Sequence, residues 1–174
     1  MMKRKWIVPV ILVLIVLLCV LLFPKTRMIN VQTTVYEYAL DQKEPIAEHE
    51  ISIGGRFTKR LFREDVLQGH MVISGYPETD GASVTVQFWG GNDHGIISYM
   101  QGGVPVWGTE LINMYANDDF SQVIIQLFEV TIEEDGTRSS WSGDTGRVLT
   151  TAADYDTLLE LSGELGMFVE TKGE

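Results

Sequence analysis

The sequence predicts a mainly β domain: a single antiparallel β-sandwich or strongly curved sheet with one C-terminal helix packed on it, preceded by an N-terminal transmembrane helix. Three observations give this prediction. Apolar and polar residues alternate through most of residues 31–141, which is the period of strands with one buried face. The connections between successive runs are short, which favours antiparallel pairing. Residues 6–23 carry no charge at all.

The uncharged run at residues 6–23 is predicted to be a transmembrane signal-anchor helix. As a helix it would rise roughly 27 Å, close to the thickness of about 30 Å of a hydrocarbon core. Pro9 falls in the first turn, where its missing amide has no helical partner to lose. A cleaved signal peptide is the rival interpretation, but the first alanine after the run is Ala39, which leaves no suitable cleavage site. Cys19 follows Leu18 and is interpreted as an apolar filler rather than a lipidation site.

Flanking positive charge predicts the orientation of this segment. Residues 3–5 are all basic, whereas only Lys25 and Arg27 follow the run closely. This bias favours residues 1–5 as a cytoplasmic basic N-terminus, residues 24–30 as a linker and residues 31–174 as an acidic extracytoplasmic domain at the cell membrane. The reverse topology stays open because the difference in charge is modest. The lipid bilayer is thus the expected partner of residues 6–23.

Composition excludes several classes of function. Beyond Arg27 the chain has eight basic residues against all 24 acidic ones, a formal charge of −16. Phosphate contacts need a cationic surface, so we expect no nucleic-acid partner. Cys19 is the single cysteine, so the domain after it has no disulfide and must be stabilised by packing. The lack of thiols in this domain favours a bacterial envelope protein.

The domain divides into short strands separated by turns. The predicted strands are residues 31–38, 47–53, 70–74, 83–89, 96–100, 110–115, 122–133 and 137–141. Gly54-Gly55 is predicted to end the second strand, and Asp135-Gly136 is the strongest hairpin signal. Residues 77–81, 117–119 and 143–146 are predicted turns, and 90–95 a hairpin tip. Residues 56–67 fit a helix with a basic stripe, and a bent strand followed by a turn at 63–65 fits almost as well, so both alternatives are kept.

One helix is predicted near the C-terminus. Thr151 is expected to cap it, with Asp154 three residues later, and Gly163 to end it. Its apolar face, which should lie on the sheet, comprises Ala152, Tyr155, Leu158, Leu159 and Ser162. Residues 167–171 are expected to add a final edge strand.

Two groups of residues are candidates for binding. The basic residues Arg56, Lys59, Arg60 and Arg63 hold half of the positive charge after Arg27 within eight positions and could bind an anionic polymer or an acidic partner. The alternative is that they neutralise nearby acids of the same domain. Trp107, with Trp89, Trp141 and Tyr99, lies at or near loops, where aromatic side chains bind sugars or protein partners; burial in a β core is the competing interpretation.

Asp93 and His94 lie in the glycine-rich segment 90–95 and are the one candidate acid–base pair. Asn, Asp, His and Gly also tolerate left-handed backbone at a hairpin tip, which would explain them without chemistry. His49 and His70 lie in predicted strands, and no spacing of His or Cys indicates a metal site. No Gly-x-Ser-x-Gly, phosphate-binding or calcium-binding motif occurs, so no cofactor is expected.

These observations favour a membrane-tethered, extracytoplasmic binding or assembly module of the bacterial cell envelope, without enzymatic activity and with a protein or cell-wall glycan as its partner. An envelope hydrolase using Asp93 and His94 is the alternative. A purely structural subunit of a membrane complex is a third interpretation.

Overall fold

The computed structural model describes residues 11–14, 23–89, 93–106, 109–133 and 136–169. Residues 11–14 are helical. The elements that follow are β1 (Lys25–Ala39), β2 (Ala47–Lys59), β3 (Asp65–Ile73), β4 (Ser83–Phe88), β5 (His94–Gln101), β6 (Val104–Pro105), β7 (Leu111–Ala116), β8 (Val123–Leu127), β9 (Glu129–Glu133), β10 (Gly136–Ser140), β11 (Arg147–Thr150) and helix α1 (Tyr155–Glu164). A short 3-10 helix, Pro77–Thr79, connects β3 to β4.

Eight strands form a closed antiparallel barrel. Their order is β4-β3-β2-β1-β11-β8-β7-β5, and pairing of β4 with β5 closes the ring. Strand β6 pairs with the end of β5, and β9 with β10 forms a separate hairpin. The predicted mainly β fold with one packed C-terminal helix is confirmed. The predicted sandwich is not what forms, because the curved sheet continues until its two edge strands meet.

Three glycines allow β2 and β3 to bend together. Gly55 lies opposite Gly69 in the ladder, and a Cβ on Gly69 would come within 1.9 Å of the Gly54 carbonyl oxygen. Only backbones without side chains approach this closely, and such sites mark the sharp bends of barrels. The prediction that Gly54-Gly55 ends the strand is therefore wrong, since β2 runs on to Lys59.

The barrel interior is filled by side chains. Large residues from every part of the ring, including Ile51, Leu67, Met71, Leu111 and Ile125, have no more than a trace of exposed surface. An eight-stranded barrel is just wide enough for such filling. One end is closed by three edge-to-face rings, Phe57, Phe88 and Phe120, whose centroids lie 5.2–5.9 Å apart. This end is called the aromatic end below.

Helix α1 covers part of the outer wall of the barrel. Leu158, Leu161 and Ser162 are its buried residues. The two leucines belong to a second apolar cluster with Tyr38, Ile124 and Val148 from three strands. The predicted packing on the sheet is confirmed. The predicted cap is wrong: Asp154 caps the helix by accepting a hydrogen bond from the Thr157 amide, and Ala152 is buried before the helix begins. The helix continues past Gly163 to Glu164, with Gly166 at a φ of 73° just beyond.

Several predicted boundaries change. Most of the predicted linker at 24–30 is strand, because Lys25 to Asn30 continue the β1 ladder opposite Lys59 to Gly54. In the undecided segment 56–67, the bent strand followed by a turn is what forms. The predicted strand 122–133 is divided at Phe128 into β8 and β9. Residues 167–169 are not strand, and 170–171 lie outside the described ranges.

Within the described ranges, no helix has both the length and the apolar character needed to cross a membrane. The predicted span at 6–23 lies outside the described residues except for 11–14 and Phe23.

Candidate functional site: the polar mouth of the barrel

The end of the barrel opposite the aromatic end carries a group of ionisable side chains, called the mouth below: Glu37, His49, Tyr76, Glu110 and Arg147. Alternation along each strand explains the position of three of them. Glu37 has the same parity in β1 as the buried Val35, His49 the same parity in β2 as Ile51, and Arg147 the same parity in β11 as Leu149. These side chains are thus directed to the inner side of the wall, close to where it ends.

Glu37 is the centre of the mouth. Its side chain is only 6% exposed, and both of its oxygens are bonded. Oε1 accepts hydrogen bonds from Nε and Nη2 of Arg147 at 2.7 and 2.6 Å. Oε2 lies 3.2 Å from His49 Nε2 and accepts from the Tyr76 hydroxyl at 3.2 Å. The other ring nitrogen of His49, Nδ1, lies 2.6 Å from the Ser74 carbonyl oxygen, which fixes the ring orientation.

This arrangement holds a buried carboxylate next to a half-exposed cation. Burial alone would lower the pKa of Arg147, but the hydrogen bond and charge of Glu37 raise it. Burial, followed by the Glu37 charge, raises the pKa of Tyr76 above its ordinary value, so this hydroxyl keeps its proton and donates. Glu110 extends the network outward, with Oε2 at 4.0 Å from Nη1 of Arg147.

Two clefts meet at Arg147 and Glu110. One has a volume of about 350 Å³ and is lined by Glu37, His49 and Tyr76 in addition to the shared pair. The other, of about 210 Å³, is lined by Trp141, Ser140 and Phe128 where the β9–β10 hairpin leaves the barrel. The Trp141 indole donates to the Arg147 carbonyl oxygen at 3.1 Å and is only partly buried. Cation, carboxylate, hydroxyl and aromatic surfaces therefore converge on one region, as in binding sites for polar ligands.

In the mouth, contacts from His49, Tyr76 and Arg147 occupy both oxygens of Glu37, and the raised pKa of Tyr76 keeps its hydroxyl protonated as a donor. The described residues include no group of His, Cys, Asp or Glu arranged to hold a metal ion.

The structure separates the four predicted basic residues. Arg56 and Lys59 lie in β2, whereas Arg60 and Arg63 lie in the loop between β2 and β3, so no helical stripe forms. Lys59 pairs with Asp118, as expected if these bases neutralise acids of the same domain. The backbone N–H of Arg60 donates to Asp65 Oδ1 at 2.7 Å, and the side chains of Arg56, Arg60 and Arg63 are exposed.

Asp93 and His94 have different surroundings. Asp93 lines a pocket of about 60 Å³ at the aromatic end with Lys59, Asp118 and Phe120. Burial and the nearby Asp118 charge raise the pKa of Asp93. His94 stacks on Tyr115 across the β5–β7 pair, with ring centroids 4.6 Å apart, and its Nε2 is buried without a hydrogen-bond partner within the described chain. This geometry gives the acid–base alternative no support.

Trp107 lies outside the described residues. Of the aromatic residues considered with it, Tyr99 is buried, Trp89 is 41% exposed and Trp141 lines the mouth. Sequence reasoning missed Glu37, Tyr76 and Arg147. One signal was present: Glu37 has the same parity in its predicted strand as Val31 and Val35, which predicts an inward position, and a buried acid needs a partner.

Fold and site together define the class of protein: a closed eight-stranded antiparallel barrel with a covering helix and a buried carboxylate–guanidinium network at one mouth. No family model, curated protein or solved structure matches the chain.

Proposed function

We propose that the chain is a single-pass, membrane-tethered binding or assembly module of the bacterial cell envelope, without enzymatic activity, whose barrel holds a protein or cell-wall glycan partner at its mouth. The tether is residues 6–23, with the barrel on the extracytoplasmic side. The described part of this segment is consistent with the tether, because the apolar residues Ile11, Leu12, Val13 and Leu14 have 49–63% of their surface exposed.

One observation carries the proposal: Lys25, which follows the proposed tether after only Pro24, and Glu37 of the mouth lie near opposite ends of the same strand. β1 begins at Lys25, directly after the predicted span, and brings Glu37 to the mouth. Twelve steps of about 3.3 Å give roughly 40 Å along the strand, or about 30 Å along the barrel axis at a tilt of about 40°. The barrel therefore presents the mouth well away from the bilayer, where soluble or wall-bound partners are accessible.

The character of the mouth supports binding. Its charged groups are already held in place by one another, so a partner meets a preorganised surface, which lowers the cost of association. Trp141, Arg147 and Glu110 offer stacking, donor and acceptor contacts, respectively.

Site-specific photocrosslinking in native membranes tests this proposal. A photoreactive residue would replace Ser140, which is exposed beside the 210 Å³ cleft, and in a matched control would replace Glu160, exposed on helix α1. An adduct formed from position 140 and absent from position 160 is expected, and it should weaken when Glu110→Ala is added. Digestion of the adduct with a protease or with a peptidoglycan hydrolase identifies the partner as protein or glycan. Equal labelling at the two positions would contradict a binding mouth.

A further inference from the structure

The start of β1 determines where the barrel sits if residues 6–23 span the bilayer. That span is predicted to end at Phe23, and Lys25 is already paired with Lys59. Only Pro24 lies between, and a chain extends at most about 3.5 Å per residue, so the first residue of the barrel lies within roughly 7 Å of the end of the span. The headgroup region adds only about 5–8 Å on each side of the hydrocarbon. The aromatic end of the barrel must therefore lie at the lipid surface.

The loop between β2 and β3 lies at this same end and exposes large apolar side chains. Phe62 is 79% exposed and Leu61 60% exposed. Trp89, 41% exposed, lines a shallow groove of about 510 Å³ together with both of them. Phe23, just before β1, is 73% exposed. Soluble surfaces rarely gather such residues, whereas Trp and Phe are common where proteins meet the boundary between headgroups and acyl chains.

Basic and acidic residues are distributed unevenly along the barrel. The aromatic end carries the bases Lys25, Arg27, Arg56, Lys59, Arg60 and Arg63 together with the acids Glu64, Asp65, Asp93, Asp118 and Asp119. Asp118 pairs with Lys59, and Asp65 accepts a hydrogen bond from the Arg60 amide. The opposite end and its loops carry the acids Glu37, Asp41, Glu44, Glu48, Glu78, Asp80 and Glu110 against the bases Lys43 and Arg147. Anionic lipid therefore repels the opposite end more strongly than the aromatic end, where the bases offset the acids.

We infer that the loop at residues 60–64 and Trp89 form a membrane-docking surface. Leu61 and Phe62 enter the outer boundary of the bilayer that holds residues 6–23, and Arg60 and Arg63 bind lipid phosphates beside them. The inference rests on the tether of the proposed function and adds a second, independent contact. Two contacts fix the direction of the barrel axis, whereas a single tether would let the mouth tilt toward the membrane.

Fluorescence of a labelled chain in lipid nanodiscs tests the docking surface. In full-length protein with Cys19→Ala, which removes the single cysteine, Phe62→Cys would carry an environment-sensitive fluorophore such as NBD. Glu44→Cys, exposed in the loop between β1 and β2 at the opposite end, is the matched control. Discs would contain phosphatidylglycerol and phosphatidylcholine with brominated acyl chains. The label at position 62 should emit at shorter wavelength and be quenched several-fold more than the label at position 44.

The outcomes separate docking from tethering. If the chain stays in the discs while both labels report water, docking is overturned and the tether stands. If the chain leaves the membrane fraction under alkaline extraction, the tether fails and docking falls with it. Adding Arg60→Glu and Arg63→Glu should reduce quenching at position 62 in discs with phosphatidylglycerol; unchanged quenching would overturn the role given to the two arginines.

Discussion

Replacing Arg147 by methionine would remove both partners of one oxygen of the buried Glu37 carboxylate. Only the longer contacts of its second oxygen would remain. Oε1 would lose both of its partners, at 2.6 and 2.7 Å, while His49 and Tyr76 would remain on Oε2. Methionine has a similar apolar stem, so the change removes the guanidinium with little loss of packing. The variant therefore isolates the interaction between the two charges.

The size of the effect follows from the exposure of the two partners. Breaking a fully buried ion pair costs about 3–5 kcal/mol, because one charge stays buried and unpaired. Glu37 is buried, but the Arg147 side chain is 46% exposed, so water can replace part of its contribution. We expect the free energy of unfolding to fall by about 2 kcal/mol, near the value for hydrogen bonds to charged groups.

The double variant Glu37→Met with Arg147→Met should recover part of the loss at neutral pH, because no charge is then left unpaired.

Urea unfolding of the full-length chain in a non-ionic detergent, followed by tryptophan fluorescence, measures these differences. Arg56→Met is the matched control, because Arg56 is exposed on β2 and its loss should change stability by no more than about 0.5 kcal/mol. An effect of Arg147→Met as small as that of the control would refute the view that Arg147 compensates the buried Glu37 carboxylate.

Three further predictions concern the fold. Gly69→Ala should lower the free energy of unfolding in urea by at least about 3 kcal/mol, since the new Cβ would lie 1.9 Å from the Gly54 carbonyl oxygen. Gly163→Ala, with open space around it in α1, should raise the free energy of unfolding by about 0.5–1 kcal/mol. Comparable urea midpoints for the two variants would contradict the close crossing of β2 and β3. Asp154→Ala should lower the melting temperature, whereas Asp154→Asn should not. Hydrogen bonds from Thr157 lower the pKa of Asp154, so the stability that this cap contributes is present above the ordinary carboxyl range and is lost as pH falls. A destabilisation by Asp154→Ala that persists in acid would contradict the role of the Asp154 carboxylate as the cap. Removing residues 1–23 should release a folded domain. Removing residues 1–30 should lower the urea midpoint of that domain, because the longer deletion removes the buried Ile29 and about half of the β1–β2 ladder. Identical midpoints would show that residues 25–30 do not stabilise the barrel.

Local pattern predicted most of the strands and the helix, but not the closure of the sheet. Alternation in β4 and β5 follows the side-chain period of a strand, and both are found close to where they were predicted, whereas β1 begins six residues earlier than predicted. Closure of the barrel depends on the pairing of β4 with β5 and on the close approach of β2 and β3 at Gly55 and Gly69. Both depend on the register between strands, which the alternation within a single strand does not predict. In the sequence, Gly54-Gly55 is indistinguishable from a turn.

The candidate site was missed because it joins residues distant in sequence. Glu37 and Arg147 are 110 positions apart and meet because β1 pairs with β11, with Glu37 opposite Leu149 and Ala39 opposite Arg147. The predicted candidates were instead clusters along the chain, such as Arg60 with Arg63. Neighbours in sequence become a site only when the backbone turns both side chains to one side. Asp93 and His94 are adjacent, yet one lines an end pocket and the other stacks on Tyr115.

The charged residues of the domain are distributed unevenly along the barrel axis. A formal charge of −16 after Arg27 predicts repulsion from an anionic membrane when it is treated as a single number. In the structure, Arg56, Lys59, Arg60 and Arg63 all lie at the end where the chain leaves the predicted span, and the acids of the mouth lie at the other. If residues 6–23 anchor the chain, an anionic membrane would repel the acidic far end more strongly than the near end, where the bases offset Glu64, Asp65, Asp93, Asp118 and Asp119. This uneven distribution would then favour an orientation with Arg60 and Arg63 at the lipid and the Glu37–Arg147 network facing outward.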